Sequence, residues 1–467
     1  MKPKNLDDKN QNKIKLKKLG DELLEYVEPT KEELKITKNY ADNLISRLKK
    51  TLPKDVEVIL AGSTARGTQV KGSFDIDIFL LFPKILNERE MENKAVNLSK
   101  KIIDEKIGET YIIKYAEHPY IKLTNKMYKI TADLVPAFKI NNANEMGSAV
   151  DRTQLHNKFI LSHLKPNQKN DVRLLKYFLK KHNIYGAEAK IHSFSGYECE
   201  LLIYFYGNFY NVVKGLSEIK PNTVIDIKNN RFIEDETKDE YLKKFNSNFI
   251  IIDPTDSNRN VAASVYPESL AKIIFITRNL LENPTKDNFL NSNKNFKFNI
   301  DKVVNKFGLK IQLISMEVPD ISEDTLWPQI AKLSDRIKAE LIQYNFNPIL
   351  TAVDIKNNIA IILLVFENNK LSVNIIKGPS IFINQGSKEF YKKHTKSGFV
   401  FIKDTNLYAI EKSKFLTPSE VIKFMIKEHK FVIPNSKKNA KISLLEFEEL
   451  SKDYKKRIES MLKNKLL

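Results

Sequence analysis

Two aspartates on one short apolar strand constrain this chain more than anything else in it. Phe74-Asp75-Ile76-Asp77-Ile78-Phe79 alternates acidic and apolar residues. In an extended strand both carboxylates point to one face and both isoleucines to the other. Asp is disfavoured in strands and neighbouring carboxylates repel, so nothing structural rewards the pair. A divalent cation resolves the repulsion, because Mg2+ takes hard oxygen ligands and keeps positions open for phosphate oxygens. A third acid, Asp133, stands on the polar parity of another strand-like run, Tyr128-Lys129-Ile130-Thr131-Ala132-Asp133-Leu134. Three acids from two adjacent strands can hold two metal ions, one activating an attacking hydroxyl and the other steadying a leaving pyrophosphate. The competing reading is three solvated acids on an exposed sheet face.

The turn upstream weighs against that bland reading. Gly62-Ser63-Thr64-Ala65-Arg66-Gly67-Thr68 follows the strand run Val56 to Leu60. Its backbone N–H groups and the Ser63 hydroxyl can cradle a triphosphate, and Arg66 adds a fixed positive charge. The segment is a near miss for a P-loop, since Gly67 and Gly72 have the spacing but Ser73 stands where the lysine belongs.

At 467 residues the chain is long enough for about three domains. Hydrophobic residues make up 42% and charged residues 29%, a globular balance. The net charge of +19 points to a polyanionic partner such as nucleic acid, although A/T-rich codon usage would also enrich lysine. One cysteine, Cys199, excludes a disulfide scaffold and a Cys-based zinc site, and fits a reducing, cytoplasmic setting. The seven histidines form no His-x-x-x-His pair. No apolar run approaches the ~20 residues of a membrane span, and the N-terminus lacks a signal-peptide core.

The expected architecture is α+β and multidomain. Residues 1–20 read as a loose basic arm and residues 21–150 as a catalytic unit with a mixed β-sheet and helices. In that unit Thr30 and Glu33 form a capping box that opens a helix. Residues 151–285 read as mainly helical, with Val172 to His182 and Tyr197 to Val213 as the best helices. Residues 286–467 read as an α/β body and tail, entered through an Asn-rich linker, Asn283 to Asn299, and closed by a long helix from Leu444 to Leu466.

The glycine-serine turn followed by Asp-x-Asp resembles the polymerase-β-like nucleotidyltransferases, and the fuller string Gly62 to Phe79 resembles the archaeal, class I CCA-adding enzymes. Ser148 to His156, Arg173-Leu-Leu-Lys176, Ile184 to Glu188, Phe194 to Tyr197 and Asp253 to Ala263 are similar to further stretches of that family. The likeness runs from about Leu19 to about Asn279 and thins beyond Ile300. It implies a polymerase-β-like palm, a helical nucleotide-binding domain and a C-terminal tRNA-binding body. It also implies two Mg2+ ions on Asp75, Asp77 and Asp133, and CTP and ATP as substrates. By the same resemblance, Gly62, Ser63, Arg66, His156, Lys176 and Tyr185 hold the triphosphate and ribose, while Arg259 and Asn260 lie in the base-selecting segment. The implied partner is tRNA, gripped at the acceptor stem and T arm through shape and phosphates, and the implied assembly is a homodimer.

The acidic motif alone does not separate CCA addition from a poly(A) or other terminal nucleotidyltransferase. The segment from Asp253 to Ala263 and the C-terminal region do so, through the resemblance. A non-catalytic RNA-binding protein is the reading from another class. Retention of all three acids beside Gly62-Ser63 argues against it.

Overall fold

Leu16, Leu19, Leu23 and Val27 recur at helical spacing and fold as the buried stripe of α1 (Leu6–Val27). The computed structural model describes residues 6–115, 117–291, 299–367, 370, 373–396, 398–428, 431 and 441–465. It divides into two units, Met1–Lys294 and Asn295–Leu467.

In the first unit, α2 (Lys31–Thr51) opens on the expected capping box. The Glu33 N–H donates to Thr30 Oγ1 at 3.1 Å, and the Thr30 N–H donates to Glu33 Oε2 at 2.7 Å. There follow β1 (Glu57–Ala61), α3 (Gly62–Arg66), β2 (Asp75–Phe82), α4 (Glu88–Lys101), β3 (Glu109–Tyr115), β4 (Pro119–Asn125) and β5 (Ile130–Phe138). The sheet order is β1-β2-β5-β4-β3, with β2 and β5 parallel and the other pairs antiparallel. One face of β2 and β5 (Ile76, Ile78, Leu80, Ala132, Leu134) packs in a single core with Leu44 and Leu48 of α2 and with Met91 and Ala95 of α4. The opposite face carries the acids at one end and a second small core of Ala61, Phe79, Leu81 and Ala137 at the other.

The chain continues through α5 (Thr153–His163), α6 (Lys169–Lys181), α7 (Gly196–Tyr206), α8 (Phe209–Ser217), β6 (Thr223–Asp226), β7 (Arg231–Phe232), α9 (Lys238–Phe245), β8 (Phe249–Asp253), β9 (Asp256–Asn260), α10 (Pro267–Glu282) and α11 (Lys286–Leu290). Four expectations need correction. Most of residues 1–20 is no loose arm, because α1 contacts α6, α8 and α10 and shares their core rather than that of the sheet. The run Tyr197 to Val213 is two helices, broken where Gly207 takes φ 91° and Asn208 caps α8. The mainly helical region also holds a four-stranded sheet, β7-β6-β8-β9. Its strands β6 and β8 are buried along their whole length, and periodicity cannot tell such runs from buried helix. The Asn-rich stretch begins as structure, with Phe289 of α11 buried against Phe178 and Phe209; its residues 292–298 lie outside the described residues.

The second unit comprises α12 (Ile300–Phe307), β10 (Lys310–Glu317), α13 (Glu323–Gln343), β11 (Leu350–Lys356), β12 (Ile359–Phe366), β13 (Val373–Ser380), α14 (Asn384–His394), β14 (Gly398–Lys403), β15 (Asn406–Lys412), α15 (Pro418–Lys427), β16 (Ile442–Glu446) and α16 (Lys452–Lys465). Two antiparallel sheets form, β11-β12-β10-β16 and β13-β15-β14. The stretch Leu444 to Leu466 is not one helix. Its first residues complete β16 against β10, where Leu445 pairs with Leu313, and the helix starts only at Lys452. Of the basic run Lys437 to Lys441, residues 437–440 lie outside the described residues. Among the described residues, no helix is long and apolar enough to cross a membrane.

Candidate active site

The parallel pairing of β2 and β5 sets Asp77 directly beside Asp133 and Asp75 beside Thr131. Thr131 Oγ1 donates to Asp75 Oδ1 at 2.6 Å, and Ser73 Oγ donates to Asp75 Oδ2 at 3.2 Å. Lys122 on β4 donates to Asp133 Oδ1 at 3.2 Å. Burial first, and the Asp133 charge second, push the Asp77 carboxyl up to about 6 from its ordinary 3.8. Burial also raises Asp133, against the pull of Lys122. A face of carboxylates so short of compensating charge suits a hard divalent cation, so the donor set fits the Mg2+ that the resemblance implies. Among the described residues, the only group of three or more acidic, His or Cys side chains with ligand atoms all within 4.8 Å is Glu88, Glu92 and His118. The three aspartates stand wider apart, two of them engaged by the neighbours just named.

The turn is closed over this face. Gly62 opens α3 at φ +66°, and a Cβ there would stand 1.8 Å from Asp77 Oδ2. Ser63 is half-buried, its carbonyl accepting from the N–H groups of Gly67 and Thr68. Thr64 Oγ1 donates to the Asp75 carbonyl at 2.7 Å and ties the turn to β2. Arg66 is buried and pairs through Nε with Glu200 Oε2 at 2.9 Å.

Lys176 does not face the acids. Its Nζ donates to the carbonyl and the hydroxyl of Thr68, both at 3.2 Å, and lies 3.6 Å from Glu200. Burial lowers the Lys176 ammonium. Burial works to raise the Glu200 carboxyl, but Arg66, Lys176 and the Thr68 hydroxyl together hold it below its ordinary value. A direct triphosphate contact by Lys176 would require it to leave these partners. Tyr185 stands at the start of α7, where a Cβ on Gly196 would meet its hydroxyl at 3.0 Å and Lys176 Nζ at 3.7 Å.

His156 stacks on Tyr197 at 3.9 Å between ring centroids, and its Nε2 lies 2.8 Å from Asp253 Oδ2. Both rings line a cavity of about 290 Å³ together with Gly62, Arg66 and Asp77. Arg259 donates through Nη1 to the same Asp253 oxygen at 2.9 Å. It sits on β9, and it lines a second cavity of about 430 Å³ with Arg152, Ser195 and Asn258. Asn260 ends the same strand and lines the same cavity. Its buried amide accepts from the N–H groups of Ile251 and Ala262 and donates to the Phe249 carbonyl. That side chain staples β8 to β9 with both lone pairs of its oxygen and one of its two N–H groups.

Sequence reasoning missed Lys122, Glu200 and Asp253 as supports of this site. Glu200 had a signal, since an ionisable residue inside the apolar run Tyr197 to Phe205 needs a buried partner. Lys122 had none in a lysine-rich chain.

The fold and site together define a nucleotidyltransferase. A nucleotidyltransferase-domain model matches residues 41–161, a model of the tRNA nucleotidyltransferase second domain matches residues 170–290, and a model of the CCA-adding enzyme C-terminal domain matches residues 308–433. The chain is 33% identical over 420 residues to a CCA-adding enzyme of Archaeoglobus fulgidus, covering 89% of this chain and 91% of that one. A CCA-adding enzyme of Methanococcus maripaludis is 34% identical over 430 residues, covering 90% and 94%. That of Methanocaldococcus jannaschii is 32% identical over 411 residues, covering 86% and 89%. The chain belongs to the family of archaeal CCA-adding enzymes. Among solved structures, the Cid1 poly(U) polymerase bound to 3′-dATP aligns at TM-score 0.46 and 17% identity over 58% of this chain and 97% of that one.

Proposed function

We propose that the protein builds and repairs the 3′-terminal CCA of tRNA without a template, consuming CTP and ATP and releasing pyrophosphate. The observation that carries the reading is the register of Asp77 beside Asp133 under Gly62, in a chain whose relatives over nine-tenths of its length are CCA-adding enzymes. The terminal hydroxyl of tRNA attacks the α-phosphorus in line. A phosphodiester bond forms, the bond to the bridging oxygen breaks, and pyrophosphate departs. Asp75, Asp77 and Asp133 would hold two Mg2+ ions, which when bound favour deprotonation of the attacking hydroxyl and neutralise charge on the leaving group.

The rest is positioning and charge. Ser63 and the first N–H groups of α3 meet the triphosphate, with Arg66 aimed by Glu200. Lys176 of α6 and Tyr185, packed beside the start of α7, support that wall. His156 meets the nucleotide between the acids and Arg259, and Arg259 reads the base edge. The net charge of +19 serves tRNA phosphates at the acceptor stem and T arm, read by shape. The working form on this reading is a cytoplasmic homodimer.

The test uses purified protein, Mg2+ and tRNA transcripts ending at the discriminator base, in C and in CC, with the four nucleoside triphosphates supplied singly and together. Two C and then one A, and no further addition, is the expected result. Runs of A or U would move the chain to another terminal nucleotidyltransferase. No addition with tRNA still bound would overturn catalysis altogether.

A further inference from the structure

Asp253 ends β8 with its side chain wholly buried, and it touches residues of both cavities. Its Oδ2 accepts from His156 Nε2 at 2.8 Å and from Arg259 Nη1 at 2.9 Å. Its Oδ1 accepts from the Thr255 N–H at 2.9 Å, from Thr255 Oγ1 at 2.8 Å and from the Tyr197 hydroxyl at 3.4 Å. Every direction around the carboxylate is engaged. His156 and Tyr197 belong to the cavity that contains Asp77, and Arg259 belongs to the second cavity.

We propose that Asp253 is a positioning residue that holds Arg259 in fixed register with His156, and thereby sets the discrimination of CTP and ATP from UTP and GTP. The proposal rests on the reading of Arg259 as the base-reading group. Cytosine and adenine present a lone pair on the Watson–Crick edge, at N3 and N1. Uracil and guanine present an N–H there. A guanidinium separates the two pairs only while its rigid fork is held in place, because a donor facing a donor leaves both unpaired. Arg259 reaches its cavity on a flexible stem, and Asp253 is its ion-pair partner among the described residues. The same carboxylate orients His156, so base edge and reacting phosphate keep one geometry.

The experiment measures kcat and KM for CTP and UTP on a tRNA transcript ending at the discriminator base, with full-length enzyme. The variants are Asp253→Asn, Thr255→Val, Arg259→Ala and the double variant Asp253→Asn/Arg259→Ala. Asp253→Asn should lower the CTP-over-UTP ratio of kcat/KM by about tenfold or more, mainly through a raised KM for CTP. Thr255→Val removes one anchor of the carboxylate and should shift the ratio the same way by a smaller factor; it carries the test if Asp253→Asn fails to fold by thermal melting. In the Arg259→Ala background Asp253→Asn should change the ratio by less than about twofold, a non-additivity that a merely structural residue would not produce. Wild-type discrimination in both Asp253→Asn and Thr255→Val, or equal losses from Asp253→Asn with and without Arg259, would overturn the proposal. If the wild-type enzyme prefers a nucleotide other than CTP on this transcript, the CCA reading alone fails, and the same variants are scored on the preferred nucleotide.

Discussion

At Gly62 the catalytic face is at its tightest. The residue sits at φ +66°, and a side chain there would collide with the Asp77 carboxylate. Gly62→Ala should therefore lower kcat/KM for CTP by about 100-fold or more and cost about 1–3 kcal/mol of stability, with tRNA affinity little changed. Gly72 shares the conformation, at φ +74°, but a Cβ there meets nothing. Gly72→Ala should carry only the backbone strain and keep most activity, which separates collision from strain in the same assay. Asp77 gives a prediction of opposite sign for stability. Its carboxyl is raised to about 6 in the fold, so between its ordinary 3.8 and 6 the native state binds more protons than the unfolded chain. The ionised group thus costs the fold nothing below pH ~4 and roughly 1–3 kcal/mol above pH ~6. With chelator present, Asp77→Asn should be more stable than wild type in urea at pH 8 and equal to it at pH 4, while losing nucleotide addition. Equal stability at both pH values would show that burial and Asp133 do not strain this carboxylate.

The elements of the site are legible to different degrees, and α1 shows why. Its apolar stripe of Leu16, Leu19, Leu23 and Val27 was present in the sequence, but the lysines and asparagines around it drew the reading towards a loose arm. The structure buries Leu16 in the helical core. Leu16→Ala should cost about 2–5 kcal/mol by chemical denaturation, where a solvated arm would give almost no change. Strand β2 was readable because its alternation leaves one choice of face, and β5 because Asp133 keeps the same parity. The glycine-serine turn was readable for the same local reason. What failed were contacts made across the fold. Strands β6 and β8 lacked any alternation, and Arg259 and Asn260 landed on β9 because β9 pairs back on β8. Resemblance supplied Lys176 and Asn260 as ligands, and only packing revealed that one is held by Thr68 and Glu200 and the other by backbone.

The whole molecule must grip a large polyanion while choosing a small one, and the two tasks depend differently on salt. On the proposed function, the excess of 77 basic over 58 acidic side chains serves phosphates at the surface, where each contact releases counterions. On the same proposal, the nucleotide is met in cavities of about 290 and 430 Å³, where Arg66 and Arg259 are already aimed by buried carboxylates. Charges of the second kind are screened far less than those of the first. If the grip on tRNA involves about 6–10 phosphates, affinity should fall by about 1,000-fold or more between roughly 50 and 200 mM salt. KM for CTP, measured on saturating tRNA, should change by only a few-fold over the same range. Exchanging acceptor-stem base pairs for others that keep the helix should alter tRNA affinity by less than about fivefold, because A-form RNA hides its base edges in a deep groove and offers shape and 2′-hydroxyls instead. A shallow salt slope combined with strong dependence on stem sequence would mean that bases, not phosphates, carry the grip, and the surplus of lysine would then reflect composition alone.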